Sequence, residues 1–181
     1  MSSLAHPFVT WTEFVRLPER PDGGKRYELH DGEVVVVPPA RPLHVKLQKR
    51  IEQLLQAFAG ELGVVATEFP YRPGPNLQYW FADVAFVGQA EWDGLPPDEY
   101  PVYAPPLVVE VLSPSNTQAK LNRQRLVAMS AGTKEFWIVD ADARVVHVTD
   151  LRGSRTYRAG EAIRLALFGD AELAVDQLFG V

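Results

Sequence analysis

Pro106-Leu107-Val108-Val109-Glu110-Val111-Leu112-Ser113-Pro114-Ser115 sets one carboxylate inside an otherwise apolar, β-branched run. A stretch this short and hydrophobic, followed by a helix-start signal, reads as a strand buried on both faces. A charge there must be paired or bound to a metal, because an isolated buried carboxylate is too costly. Phe81-Ala82-Asp83-Val84-Ala85-Phe86-Val87 repeats the pattern, with Asp83 among apolar neighbours. Two such acids on two core strands can meet across a sheet and share a divalent cation, which favours oxygen ligands. Each has a bland alternative: Asp83 can bond to backbone amides at a strand start, and Glu110 can pair with an Arg.

Around these strands the pattern is that of an α/β chain. Thr10-Trp11-Thr12-Glu13 has capping-box spacing and predicts a short helix ended by Pro18. Residues 26–37 read as a β-hairpin turning at Asp31-Gly32. From Leu43 to Ala59 the apolar positions Leu47, Ile51, Leu54, Leu55 and Phe58 recur at three- and four-residue steps, which predicts a helix. Strands follow at 63–69 and 82–87, then an acidic, Pro-rich loop from Gly88 to Pro106 and the strand at 107–112. Ser115 and Gln118 make a second capping pair, opening a helix that runs to Gly132. Glu135 to Val139 and Arg144 to Val148 read as paired strands, with an edge strand at 155–157 and a helical turn at 174–179. The sum is a mixed sheet with one helix before the acidic strands and one after them, counted as a single domain over residues 1–181.

Composition narrows the classes. The chain has 181 residues, 46% hydrophobic and 23% charged, which suits one globular core. It has no cysteine, which excludes a disulfide scaffold, a thiol nucleophile and a Cys-ligated metal site. The start lacks a basic region followed by an apolar stretch, and no apolar run approaches the roughly 18 residues of a membrane span. A soluble, cytoplasmic protein without a membrane segment is expected. The formal net charge of −5 argues against a protein that coats nucleic acid, but not against local contact.

The predicted site takes Asp83 and Glu110 as direct ligands of Mg²⁺, with Mn²⁺ able to substitute. Glu28 is the candidate third acid, although an acid in a two-stranded hairpin most often faces solvent. Phosphodiester cleavage also needs a polar or positive group to orient water and offset charge. No Lys stands beside Glu110 on its strand. Lys120 and Gln124, four apart on the next helix, share a face with Arg123 adjacent. His44, at the start of the long helix, is placed to touch phosphate or shuttle a proton, although a histidine there more often caps or faces water. His147, between Val146 and Val148, is expected to point outward. Trp137 and Phe136 read as core, and Trp80 as a pocket wall or a base-stacking surface.

The ordered series Arg26-Tyr27-Glu28-Leu29-His30-Asp31-Gly32-Glu33, His44, Asp83-Val84-Ala85, the Leu107 to Ser115 segment, and Glu135-Phe136-Trp137-Ile138-Val139-Asp140 resembles the Uma-two family, bacterial proteins assigned as endonucleases in the PD-(D/E)XK, restriction-endonuclease-like superfamily. The resemblance spans about Thr10 to Phe179. It implies a mixed central sheet flanked by helices, a Mg²⁺-dependent phosphodiesterase site, metal acids at Asp83 and Glu110, and Glu28 as the acid from the first part of the fold. Two departures stand out. Ala82 replaces the Pro usual before the first metal acid. Gln124 stands where the family usually carries a catalytic Lys, eight residues before Gly132, and the aromatic four residues on is Ala128. Gln can orient water but brings no charge, so Lys120, Arg123 or Arg125 would have to supply it.

The expected function is therefore a Mg²⁺-dependent endonuclease acting on DNA, with Gln124 and Lys120 orienting water and His44 or Arg123 contacting phosphate. The alternative is a catalytically weakened module that uses the same cleft to bind nucleic acid or a protein partner. An exposed edge strand after residue 144 would also permit a homo-oligomer.

Overall fold

Every residue of Leu107–Val111 (β5) is buried, as its unbroken apolar pattern requires of a central strand. The computed structural model describes residues 8–17, 25–113 and 118–180. The predicted Pro18 stop and Ser115 cap fall outside the described residues. β5 pairs antiparallel with Gln78–Gly88 (β4) on one side and parallel with Glu135–Asp140 (β6) on the other. A parallel pair needs a crossover, and Gln118–Ser130 (α4) supplies it. β6 continues antiparallel into Val145–Asp150 (β7) and Gly153–Arg158 (β8).

On its far edge β4 pairs with Gly63–Tyr71 (β3) from Trp80 to Gly88. The hairpin Arg26–His30 (β1) and Glu33–Val37 (β2) joins β4 at its start, through Leu29↔Tyr79 and His30↔Gln78. Its turn residues Asp31 and Gly32 have φ of 49° and 82°, the left-handed pair that an Asp-Gly hairpin turn needs. A Cβ on Gly32 would also come within 2.7 Å of the Phe8 ring, so this position excludes a side chain twice over. Trp11–Phe14 (α1) leads into the hairpin, and the Glu13 carboxylate accepts the Thr10 N–H and hydroxyl, each at 2.8 Å.

The sheet is covered on both faces. Pro42–Ala59 (α2) buries Leu47, Ile51 and Leu55 against Val84, Leu107, Val109 and Trp137, the side of β4–β6 that includes the odd-numbered residues of β5. α4 buries Leu121 and Ala128 against Val108, Phe136 and Ile138 on the opposite side. Two features were not predicted from sequence: a short helix Gln89–Asp93 (α3) inside the acidic loop, and a separate hairpin of Ala162–Leu165 (β9) and Ala171–Ala174 (β10). That hairpin and Val175–Leu178 (α5) close the α2 side with Ile163, Leu165, Val175 and Leu178. Ile51, fully buried at the centre of this packing, sets the first prediction. Ile51→Ala should lower unfolding free energy by about 2–5 kcal/mol in denaturant titration, the usual cost of emptying such a site.

Candidate active site

The β4–β5 ladder has its last pair at Val84↔Val109, which puts Asp83 opposite Glu110 at the point where the strands part. There the Asp83 side chain takes over a backbone role: its Oδ2 accepts the Val111 N–H at 2.7 Å. Its Oδ1 accepts from Gln48 Nε2 and His44 Nε2, each at 2.9 Å. Gln48 and His44 are four apart on α2 and so project from one face of the helix. Across β3 the neighbour of Asp83 is Glu68, which has a φ of 54° and is held by Arg26 and by Gln48. His44, Glu68 and Asp83 each offer a ligand atom within 4.8 Å of the others, a grouping able to hold a metal ion.

Glu110 is in a different state. It is buried, and its Oε1 has no hydrogen-bond partner among the described residues. Burial first, then the charges of Asp83 and Glu28, push its carboxyl well above the ordinary range, against the opposing pull of Lys120 and Arg26. A buried acid without a donor on one oxygen is costly as an anion unless a cation meets it. The donors gathered here are mainly carboxylate oxygens, with one imidazole, a set that suits a hard divalent ion. His44, Glu68 and Asp83 thus fit a divalent metal ion.

Glu28 corrects the expectation of a solvent-facing hairpin acid: it is 4% exposed. β1 docks on β4, so the hairpin side chain turns into the sheet. Burial opposes its ionisation, but the hydrogen bond from His30 (2.7 Å) and the charges of His30, Lys120 and Arg26 outweigh it and hold the carboxyl below its usual value. Lys120 Nζ lies 3.7 Å from Glu28 Oε2. Gln124, on the same face of α4, is buried and lines the same cleft.

These residues line an open cleft of about 1300 Å³ between the start of α2, the fork of the sheet and α4. Arg123, predicted as a phosphate contact, is turned away from it. Its guanidinium is bound at 2.8–2.9 Å to Asp31 in the hairpin turn, because one residue along a helix rotates the side chain by about 100° from Gln124. His147 alternates with buried Val146 and Val148 as expected: on the other face of β7 it is half-buried, bonds to Thr156 and lines the cleft. Trp80 is 1% exposed, so it is core, with His30 stacked on it at 5.6 Å. Sequence reasoning missed Gln48 and Glu68. Gln48 lies one helical turn after His44 and Glu68 is an acid in a strand run, faint signals that tertiary contacts alone turn into a site.

The family profile described as "Uma2: Putative restriction endonuclease" matches residues 11–176. The chain belongs to this family. Uma2 membership covers every element of the site, from β1 to α4. A solved structure described as a putative nuclease belonging to DUF820, from Anabaena variabilis ATCC 29413, superimposes with a TM-score of 0.80 at 20% identity, over 94% of this chain and 97% of that one. That likeness shows a shared fold, a central mixed sheet flanked by helices. No curated protein matches the sequence. Among the described residues, no helix of this Uma2 protein is long and apolar enough to cross a membrane.

Proposed function

We propose that this Uma2 protein is a Mg²⁺-dependent endonuclease that hydrolyses phosphodiester bonds in DNA, working in the cytoplasm. The observation that carries the reading is the buried Glu110 oxygen without a hydrogen-bond partner among the described residues, on a side chain that lines the cleft together with Asp83 and Glu28. Asp83 and Glu110 would hold the ion, which Mn²⁺ could replace. Bound there, a divalent cation supplies Lewis-acid polarisation of the phosphate and lowers the pKa of a coordinated water.

The chain's own groups do the rest. Val111, Gln48 and His44 donate to Asp83 and fix its carboxylate in one orientation before any ligand arrives. His44 bonds to Asp83 through Nε2, which makes it a positioning residue of that acid more than a phosphate contact. Glu28, kept ionised by His30 and its cations, is placed to accept a hydrogen bond from the attacking water. Lys120 stands one turn before Gln124 on the same face and brings positive charge to the acids. It would offset the charge gained by the phosphate in the transition state, while Gln124 orients water through its amide.

The substitution of Gln124 for the family's usual Lys supports one second reading, a weakened module that binds nucleic acid or a partner without rapid turnover. Gln124→Lys separates the two. It should raise Mg²⁺-dependent cleavage of plasmid DNA by about tenfold or more, because it adds a charged donor where charge develops. No gain, with Mg²⁺ binding demonstrated by calorimetry, would favour the binding module.

A further inference from the structure

The cleft has an arm that the carboxylates do not use. From Glu110 the sheet register runs through Ile138 on β6 to His147 on β7 and Thr156 on β8. A second row, two residues away, runs from Val108 through Phe136 and Thr149 to Ser154. α4 covers the β5 and β6 part of both rows, and beyond it the sheet face is polar and borders the cleft. Arg125, on α4, reaches across this face. Its Nη1 donates to Thr149 Oγ1 at 3.0 Å and to Ser154 Oγ at 3.2 Å. Both partners are neutral, and Arg125 makes no ion pair among the described residues. His147 Nδ1 shares a hydrogen bond with Thr156 Oγ1 at 2.8 Å, which leaves Nε2 for another partner.

A half-buried guanidinium held in place by hydroxyls, with its charge uncompensated, is prepared for an anion with several acceptor oxygens. The other charged groups on this arm are Arg155 and, at the β6–β7 turn, Asp140 and Asp142. The turn lies beyond Val145, four residues from Thr149, or about 13 Å at a strand rise of about 3.3 Å. Asp140 Oδ1 is also engaged with the Ala143 N–H. The acids therefore sit at the far end of the arm from the guanidinium.

We infer that this arm is a subsite for a backbone phosphate of the bound nucleic-acid strand other than the one cleaved, held by Arg125 and His147. The inference rests on the nuclease reading of the carboxylate site. Distance decides which phosphate is involved. β7 lies two strands from β5, about 10 Å at a spacing of about 4.8 Å. That is too far for one phosphate to touch both Arg125 and an ion on Glu110 at about 2.1 Å. Successive phosphates wind about the axis and so lie further apart than the rise of about 3.4 Å per nucleotide, which makes this a phosphate one or two nucleotides along the strand. The arm would thus fix the direction in which the strand leaves the acids.

Binding of a short fluorescein-labelled DNA duplex, followed by anisotropy in Mg²⁺ over a salt series, tests this. All proteins carry Glu110→Gln, which by the proposed function stops turnover and permits an equilibrium reading. Arg125→Gln can still bond to Thr149 and Ser154 but lacks the charge, and should reduce the salt slope by about one. Ser154→Glu, on the exposed edge strand, places an anion where the phosphate would lie and should weaken binding by about tenfold or more. Arg164→Gln, on β9 where Arg164 pairs with Asp170, should bind like the parent. If the parent binds and neither arm variant differs from it, the subsite is wrong and the nuclease reading stands. A parent with no salt-dependent binding to duplex overturns both. Should Arg125→Gln lose its folded circular dichroism spectrum, Ser154→Glu decides alone.

Discussion

Glu110→Ala should reduce Mg²⁺-dependent DNA cleavage by more than about a hundredfold, because the loss of an outer partner of a metal ligand alone costs about 10–100-fold and Glu110 is proposed as a ligand itself. Asp83→Ala should do the same, with an added effect: Val111, Gln48 and His44 would all lose their acceptor. The two variants are distinguishable by stability. Removing Glu110 takes away a buried oxygen with no hydrogen-bond partner among the described residues, whereas removing Asp83 strands three donors. Thermal melts in EDTA should therefore show Asp83→Ala more destabilised than Glu110→Ala. Activity retained by Glu110→Ala in the presence of Mg²⁺ would contradict its assigned role.

Glu110→Gln should reverse its effect on stability with metal. In the folded, metal-free protein the Glu110 carboxyl sits well above the ordinary range through burial and the neighbouring acids. In the unfolded chain it titrates near about 4.3. Below that value both states hold the proton and Glu110 contributes no pH dependence. Above it the unfolded chain releases a proton that the folded protein keeps, so stability falls as pH rises until the folded value is passed. Glu28 has the opposite sign: its lowered value contributes stability above the unfolded carboxyl range, lost as pH falls through its folded value. Glu135, buried and also raised, contributes to wild type and variant alike and cancels from their difference. In EDTA the melting temperature of wild type should fall relative to Glu110→Gln as the pH rises above the unfolded value of about 4.3. Added Mg²⁺ should close or invert the gap, because only the wild type offers the full ligand set. Parallel pH profiles for the two proteins in EDTA would show that Glu110 is solvated and unperturbed.

The parts of the molecule legible in its sequence are those where burial and local chemistry agree. β5 was readable because five consecutive buried positions leave no polar face, so Glu110 stood out. The α2 helix was readable from its apolar stripe, and the β1–β2 turn from Asp31-Gly32, whose positive φ values few other pairs accept. Glu28 was not readable, because its burial comes from docking β1 against a strand about fifty residues later, a contact with no local trace. Glu68 and Gln48 were missed for a related reason. Each looks like an ordinary polar residue on a half-exposed element until β3 is registered against β4 and α2 is laid over both. Arg123 was chosen over Arg125 on helix adjacency alone, but the hairpin turn supplied Asp31 on one side of α4 and the β7–β8 hydroxyls claimed Arg125 on the other. The β9–β10 hairpin escaped because its strands are only four residues each, although Gly169-Asp170 in its turn, both at positive φ, carried a signal.

A crystal soaked in Mn²⁺ and measured at the manganese absorption edge tests the central claim most directly. The account predicts an anomalous peak in the fork of β4 and β5, about 2.1 Å from a carboxylate oxygen of both Asp83 and Glu110. A peak held by His44, Glu68 and Asp83 that leaves Glu110 without a ligand, or no peak in the cleft at a concentration that supports cleavage, would contradict it.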